Sequence, residues 1–397
     1  MQKNWRVGSL FGIPLFIDPL WFVILGLATL NFGLSYQQWG TVLAWSAGVV
    51  MALLLFASVL LHELGHSLVA KSQGIQVNSI TLFMFGGIAA IEEESKTPGK
   101  AFQVAIAGPL VSIGLFFLLN FLSTVFPNTT PIREMVGDLG RINLVLALFN
   151  LIPGLPLDGG QVLKAALWKA TGDRFLAVHW AAKAGQVLGY GAIALGFVVD
   201  YLTGELVTGL WIALLGWFAI RNATNYDRVT ILQETLLKLN AADAMTREFR
   251  LVDANQTLRS FADLCLMDTT SQVYFAESDG RYRGMVSVED LRLVERSEWE
   301  SQILQTIVHP LTEIPSVAES TILVEVINKL ENEQLPRITV LSPAGTLAGI
   351  IDRGDIVRAF AQKLNLRVNE AEIKRVKEEG SYPPGLQLGA IAKSTNS

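Results

Sequence analysis

The chain has 397 residues, of which 51% are hydrophobic and only 17% are charged, and its net charge is −5. This length predicts more than one domain, and the sequence has no basic patch or stripe, so we expect no nucleic-acid partner. The single cysteine, Cys265, excludes an intrachain disulfide and any zinc site built from cysteines.

Charged residues divide the chain into an apolar front part and a soluble back part. Between Leu10 and Ala70 the only charged side chains are Asp18 and Glu63, whereas after Arg221 they become frequent. The N-terminal apolar segment has no convincing small-residue cleavage site, so we expect no cleavable signal peptide. The pattern predicts a membrane-embedded domain over 1–222 and a linker over 223–240.

The front part has several segments that are apolar enough to cross a bilayer, which takes about 20 residues of helix. The fourth of them is short for a full crossing, and a very tight turn separates the fifth from the sixth, so a buried helical hairpin is an alternative there. The sequence therefore predicts a multi-spanning α-helical membrane domain of about six transmembrane helices. The predicted spans lie near 14–33, 43–66, 101–123, 137–153, 185–200 and 205–221.

The distribution of Lys and Arg between the loops predicts the orientation in the membrane. Basic side chains occur in the N-terminal tail and in the loops after the second and fourth predicted spans, whereas 34–42 and 201–204 have none. Basic loops stay on the cytoplasmic side. We therefore expect an integral, multi-pass membrane protein whose two termini and soluble C-terminal part are cytoplasmic.

The second predicted span ends in the sequence His62-Glu63-Leu64-Gly65-His66. Positions i and i+4 of a helix share one face, so both imidazoles can reach a single metal ion, and Glu63 lies close by. Zinc suits such ligands, and a catalytic zinc takes three protein ligands and keeps one position open. Short motifs also recur by chance, but ionisable residues after a long apolar run are typically functional.

Asp158 is the best candidate for a third ligand. It follows Pro153, Gly154 and Pro156, which end the helix of the fourth predicted span. Irregular backbone at membrane depth is tolerated only inside the protein or beside a wet cavity, so a helix broken next to a carboxylate indicates a site. The alternative is that Asp158 only caps a helix in a cytoplasmic loop.

The two motifs together resemble the site-2 protease family of intramembrane zinc metalloproteases. The first is H-E-x-x-H, and the second, about ninety residues later, is N-x-x-P-x-x-P-L-D-G-G. The resemblance implies that His62, His66 and Asp158 bind one zinc ion and that Glu63 is the catalytic base that activates water. It also implies that Asn150 helps to hold the unwound substrate, although a buried amide that links helices is equally compatible with the sequence.

Other stretches of residues 5–220 agree with this resemblance. Gly8–Leu20 is similar to the N-terminal segment of the family, and Ala107-Gly108-Pro109 matches its pattern early in the third span. Thr81–Ile91 has the family's Gly-Gly step at Gly86 and Gly87, which favours two paired short strands. In the family this membrane-associated β element lies near the active site and can dock a substrate as an added strand.

The soluble part contains an internal repeat with an offset of about 65 positions. The offset relates Gly280 to Gly345, Gly284 to Gly349, Val286 to Ile351 and Asp290 to Asp355. Each unit is predicted to consist of a strand, a helix, two strands joined by a turn, and a second helix. The repeat resembles a soluble α/β pair of cystathionine-β-synthase (CBS) domains, at 241–298 and 306–362, followed by a tail over 363–397.

Pairs of CBS domains often bind ATP or another adenine nucleotide between their units, through a G-x-x-[S/T]-x-x-D pattern. The first unit matches this pattern, which implies that Ser287 binds phosphate and Asp290 binds ribose. The second unit has Asp352 in place of the hydroxyl residue, and its charge would repel a phosphate. A CBS pair that serves only to form homo-oligomers is the alternative.

Taken together, the motifs predict a zinc-dependent endopeptidase that cleaves membrane-spanning substrates in or near the lipid bilayer. Regulation by nucleotide through the CBS pair is part of this hypothesis. One alternative is a CBS-regulated membrane transporter or channel, although no inverted repeat is visible. A catalytically inactive membrane scaffold is another, and the intact Glu63 argues against it.

Overall fold

A computed structural model of the chain describes residues 5–84, 86–92, 94–128, 130–267, 273–383, 386 and 388–396. The chain divides into two compact units, Met1–Thr230 and Ile231–Ser397. The elements of the first unit are the strands β1 (Trp5–Leu10), β2 (Ile13–Ile17), β3 (Val77–Phe83) and β4 (Gly86–Ile91), and the helices α1 (Trp21–Ser35), α2 (Thr41–Ser72), α3 (Pro98–Val125), α4 (Pro131–Asn150), α5 (Asp158–Thr171), α6 (Arg174–Thr203) and α7 (Leu206–Lys238).

Within the described residues, α2, α3, α6 and α7 are long and apolar enough to cross a membrane. The fourth predicted span corresponds to α4, which has 20 residues and starts with a charged turn. Only two residues, Gly204 and Glu205, separate α6 from α7, in agreement with the tight turn that the sequence predicts. The predicted multi-spanning helical fold is confirmed.

The first predicted span, 14–33, was too long, because its first residues form a strand. Phe11 and Gly12 both have positive φ, of 51° and 80°, and they form a two-residue hairpin turn between β1 and β2. Asp18 then accepts a hydrogen bond from the backbone N–H of Leu20 at 2.8 Å, just before α1 begins. As a result α1 has 15 residues, fewer than the usual length of a full crossing.

A four-stranded sheet accompanies the helices of the first unit, in the order β1-β2-β3-β4. The β2 and β3 strands are parallel, and β3 and β4 form the antiparallel pair that the sequence predicts around the Gly-Gly step. β4 is therefore an edge strand of this sheet. Ile80, on β3, is fully buried against Leu64 of α2, which packs the sheet beside the helix that carries both histidines of the motif.

The second unit contains the two repeats predicted from the sequence. The first segment of each repeat pairs with the sheet of the other repeat. The strand β8, which begins the second repeat, pairs with β7 of the first, and Thr246 of the first repeat forms a bridge to Ile350 of β11 in the second. The elements of this unit are α8 (Ala241–Ala244), β5 (Arg250–Asp253), α9 (Leu258–Met267), β6 (Tyr274–Ser278), β7 (Arg281–Val286), α10 (Val288–Arg292), β8 (His309–Pro310), β9 (Ser316–Ala318), α11 (Leu323–Asn332), β10 (Arg337–Leu341), β11 (Leu347–Asp352), α12 (Arg353–Lys363), α13 (Glu370–Glu379) and α14 (Leu388–Asn396).

Two segments that the sequence sets apart from the CBS pair contribute to the core of the second unit. The predicted linker, 223–240, is helical as far as Lys238, and its Leu236 is fully buried. In the predicted tail, Val376 of α13 and Leu388 of α14 lie in the same core. Their apolar side chains are too widely spaced in the sequence to be recognised as core positions without the fold.

Candidate metal centre

α2 holds the two histidines of the motif inside the first unit. His62 is 3% exposed and His66 is 8% exposed, and they lie one helical turn apart on the face that packs against α3. Their Nε2 atoms are 3.3 Å apart. This local geometry follows from the i, i+4 spacing, as the sequence predicts.

Asp158 reaches the two histidines from a different part of the chain. The turn after α4 is held by a hydrogen bond from the Leu155 N–H to the Ala181 carbonyl of α6, and α5 then begins at Asp158. Its Oδ2 atom lies 3.0 Å from Nε2 of His62 and 3.3 Å from Nε2 of His66. The alternative that Asp158 only caps a helix is wrong, because Leu157 occupies the cap position.

The three donor atoms fit a zinc ion. Their separations of 3.0, 3.3 and 3.3 Å are close to the roughly 3.3 Å expected between two ligands of a tetrahedral zinc whose ligand distances are about 2.0–2.1 Å. Among the described residues, His62, His66 and Asp158 are the group of side chains whose donor atoms could hold a metal ion. Two imidazoles and one carboxylate leave the fourth position of a tetrahedron open.

Groups on α3 orient both imidazole rings. Nδ1 of His66 lies 2.7 Å from the Val104 carbonyl, which can only accept, so this nitrogen carries the proton and Nε2 is free to bind a metal. Nδ1 of His62 lies 2.9 Å from Oγ of the fully buried Ser112. Partners of this kind fix the ring and raise its affinity for metal. Ser112 was not predicted as a site residue, although its position four residues after Gly108 places these two residues on one face of α3.

Gly108 lets α3 approach the histidines. A Cβ atom built on it would lie 2.2 Å from Nε2 of His66 and 2.7 Å from Nε2 of His62. Real Cβ atoms do not come so close to other heavy atoms, so only glycine fits at this position without moving a ring. The Ala107-Gly108-Pro109 motif thus has a steric role at the candidate centre.

The side chain of Glu63, on α2, contacts the edge strand β4. A Cβ atom on Gly87 would be 2.4 Å from Cγ of Glu63, so the backbone of β4 packs directly on this side chain. Gly86 has a φ of 138°, which favours glycine. Asn150 is the last residue of α4. The structure therefore brings Gly87 next to Glu63.

Known proteins resemble this chain in both of its parts. The family model for peptidase family M50 matches residues 50–141 and 128–189, and the CBS domain model matches residues 306–362. A protein of Synechocystis sp. named Putative zinc metalloprotease sll0528 is 40% identical over 365 residues, which are 91% of this chain and 96% of that protein. The chain belongs to peptidase family M50.

Two further members of this comparison come from Methanocaldococcus jannaschii. Zinc metalloprotease MJ0392 is 29% identical over 368 residues, which are 91% of this chain and 97% of that protein. The solved structure of a site-2 protease from the same organism covers 57% of this chain and 95% of its own, with 29% identity and a TM-score of 0.41. The resemblance to site-2 proteases and CBS domains that the motifs carry is confirmed by the family matches.

In the first CBS unit of the C-terminal part, Ser287 and Asp290 lie next to each other. Ser287 caps α10 and accepts from the Asp290 N–H, and an Asp290 carboxylate oxygen lies 2.9 Å from Nε2 of His309. Burial alone would raise the pKa of Asp290, but its hydrogen bonds with Ser287 and His309 lower it below the usual value. His309, which the sequence analysis did not include in the nucleotide site, is thus a direct partner of Asp290.

The second CBS unit is different at the equivalent place. Asp352 and Asp355 form the same capping arrangement at α12, but Nζ of Lys377 lies 2.9 Å from Oδ1 of Asp355 and 3.4 Å from Oδ2 of Asp352. Burial and the charge of Asp352 raise the pKa of Asp355 to about 6. Lys377 belongs to α13, so a side chain of the predicted tail contacts both carboxylates.

Proposed function

We propose that this chain is an intramembrane zinc-dependent endopeptidase that cleaves membrane-tethered protein substrates within or near the bilayer. In this proposal His62, His66 and Asp158 bind one zinc ion and Glu63 is the catalytic base. The observation that supports it best is the triangle of donor atoms, 3.0–3.3 Å apart, formed by two helices that are far apart in the sequence. Membership of family M50 supports the same chemistry.

The residues around the centre supply the steps that hydrolysis of a peptide bond needs. Zinc, when bound, polarises the scissile carbonyl and lowers the pKa of a water molecule. Glu63 can accept a proton from that water and return it to the leaving nitrogen. The burial of His62 and His66 keeps bulk water away, which strengthens each electrostatic interaction at the reacting carbonyl.

The edge strand β4 is the proposed docking site for the substrate. An extended peptide can add to an exposed sheet edge through backbone hydrogen bonds, which requires the substrate helix to unwind first. Gly87 has no side chain and its backbone packs directly on Glu63, so a strand added at this edge would lie close to the proposed base. Asn150 remains a proposed contact of the unwound segment.

The proposed orientation places both termini and the CBS domains in the cytoplasm. Lys164 in the middle of α5 and Arg174 at the start of α6 both contact Glu94, just before α3, so these three places lie at one end of the first unit. Lys96, Lys100, Lys169 and Lys183 come from the same stretches of the chain. Such an accumulation of basic residues at one end supports a cytoplasmic location for that end.

Removal and return of the metal tests the protease proposal against the transporter and scaffold alternatives. We expect the detergent-purified protein to contain about one zinc per chain, because a tetrahedral site with three protein ligands takes one ion. Chelation should abolish cleavage of a panel of single-span peptides, and added zinc should restore it. A protein that contains little zinc and does not take it up would contradict the proposal and favour a transporter or a scaffold.

The first CBS unit is proposed to bind an adenine nucleotide, and this binding is proposed to regulate the protease. We expect one AMP or ATP per chain, because Asp352 replaces the hydroxyl residue in the second CBS unit and its charge would repel a phosphate. Asp290→Ala should weaken binding about 10-fold or more, since a hydrogen bond to a charged group contributes about 1.5–3 kcal/mol. Calorimetric titration of wild type, Asp290→Ala and the control Asp263→Ala, an exposed carboxylate of α9, gives the comparison. Unchanged affinity in Asp290→Ala, or two nucleotides per wild-type chain, would contradict this assignment.

A further inference from the structure

Lys164 is an almost fully buried cation on the helix that begins with Asp158. It is 5% exposed, and its Nζ lies 3.1 Å from Oε2 of Glu94. A buried ammonium group costs several kcal/mol unless an anion compensates for its lost hydration. The chain therefore tolerates Lys164 at this position because Glu94 is held next to it.

Glu94 lies in a segment that is attached to the end of α2, whereas Lys164 lies on α5. It follows β4, and the backbone of this segment is attached to α2, because the Glu92 N–H donates to the Gln76 carbonyl at 3.0 Å and Ser95 Oγ donates to Oε1 of Gln73 at 3.1 Å. Gln73 directly follows α2, the helix of His62 and His66. Glu94 is thus fixed to the part of the unit that carries the two histidines.

The Glu94 carboxylate also contacts Arg174 of α6, whose Nη2 lies 3.1 Å from the same Oε2 atom. Burial alone would raise the pKa of Glu94, but Lys164 and Arg174 lower it below its usual value. Glu94 is therefore ionised at neutral pH, and the contact with Lys164 is a charged pair that joins α5 to the α2 side of the centre.

We propose that Lys164 is a positioning residue of the metal centre, and that its ion pair with Glu94 sets the position of α5 and hence of Asp158. This inference rests on the proposed zinc function. The histidines and the carboxylate come from two separate helices, and a metal centre needs its ligands held to about 0.5 Å. The helices α3 and α5 pack against each other, and the directed ion pair adds a fixed point between α5 and the segment that precedes α3.

The test measures zinc affinity directly, by competition with a chromophoric chelator, together with kcat and KM for the peptide that wild type cleaves best. Lys164→Met keeps the length of the side chain and removes its charge. We expect it to weaken zinc binding about 10-fold or more, as loss of outer partners of metal ligands does, and to lower kcat with KM unchanged within about twofold. Lys164→Arg keeps the charge and should restore zinc affinity to within about threefold of wild type.

Two matched controls separate positioning from general effects of charge. Lys169→Met removes an exposed lysine from the same helix, and Arg174→Met removes the second partner of the same Glu94 oxygen from α6. Both should bind zinc like wild type. Glu94→Gln breaks the pair without a change in α5 and should reproduce the loss, which decides the question if Lys164→Met does not fold.

Wild-type zinc affinity in Lys164→Met or Glu94→Gln would overturn the inference, as would an equal loss in Lys169→Met or Arg174→Met. In either case a wild type that binds zinc would leave the protease proposal intact. A wild type that binds no zinc would overturn the metal centre and the role of Lys164 together.

Discussion

Glu63→Gln is expected to abolish cleavage and to leave zinc binding intact. Glutamine has almost the same shape as glutamate but cannot accept the proton of a water molecule, and a general base contributes about 10²–10⁴-fold to the rate. The three proposed ligands, His62, His66 and Asp158, are unchanged in this variant. We therefore expect kcat to fall by at least about 100-fold, with about one zinc per chain.

The measurement combines metal analysis with single-turnover cleavage of a peptide that wild type cuts. Glu92→Gln is a suitable control, because Glu92 is an exposed carboxylate that directly follows β4. It should retain wild-type activity. If Glu63→Gln keeps activity within about tenfold of wild type, another group is the base, and if it loses zinc, Glu63 has a structural role.

Gly108→Ala is expected to disrupt the metal centre, although residue 108 itself has no group that binds metal. The new Cβ atom would lie 2.2 Å from the Nε2 donor of His66, so either this ring or α3 must move. In the wild type the donor atoms form a triangle with sides of 3.0–3.3 Å. Movement of the His66 ring away from the new Cβ atom would take its Nε2 donor out of this triangle. We expect zinc affinity to fall about 100-fold, the upper end of the effect of outer partners, and cleavage to fall with it.

Gly114→Ala is the matched control on the same helix. A Cβ atom at Gly114 meets no atom within 4 Å, and alanine favours a helix more than glycine does. This variant should therefore bind zinc and cleave peptide like wild type. If Gly108→Ala also binds zinc like wild type, α3 does not restrict the two imidazoles as closely as this structure shows.

The site could be predicted where its chemistry is local in the sequence. His62, Glu63 and His66 lie within one turn of α2, so their common face follows from helix geometry alone. The interruption before Asp158 was also visible, because Pro153 and Pro156 cannot continue a helix. The internal repeat likewise located the two halves of the second unit, since equivalent glycines and aspartates mark equivalent turns and helix caps.

Other features required the tertiary structure, because they depend on residues that meet only after packing. The first predicted span was wrong because apolar residues 13–17 satisfy a strand as well as a helix, and only pairing with β1 and β3 decides between them. Ser112 and the Val104 carbonyl orient the histidines from another helix, and no spacing in the sequence connects them to His62 and His66.

The sequence by itself determined the class of protein, the membrane and soluble parts, and the candidate ligands, since hydropathy and motif spacing are properties of short segments. Tertiary structure alone decided how the centre is assembled and supported. Lys164 and Glu94 are 70 positions apart, yet they are in direct contact. Buried charge requires a partner of opposite sign, and only the packing of distant elements determines which partner is within reach.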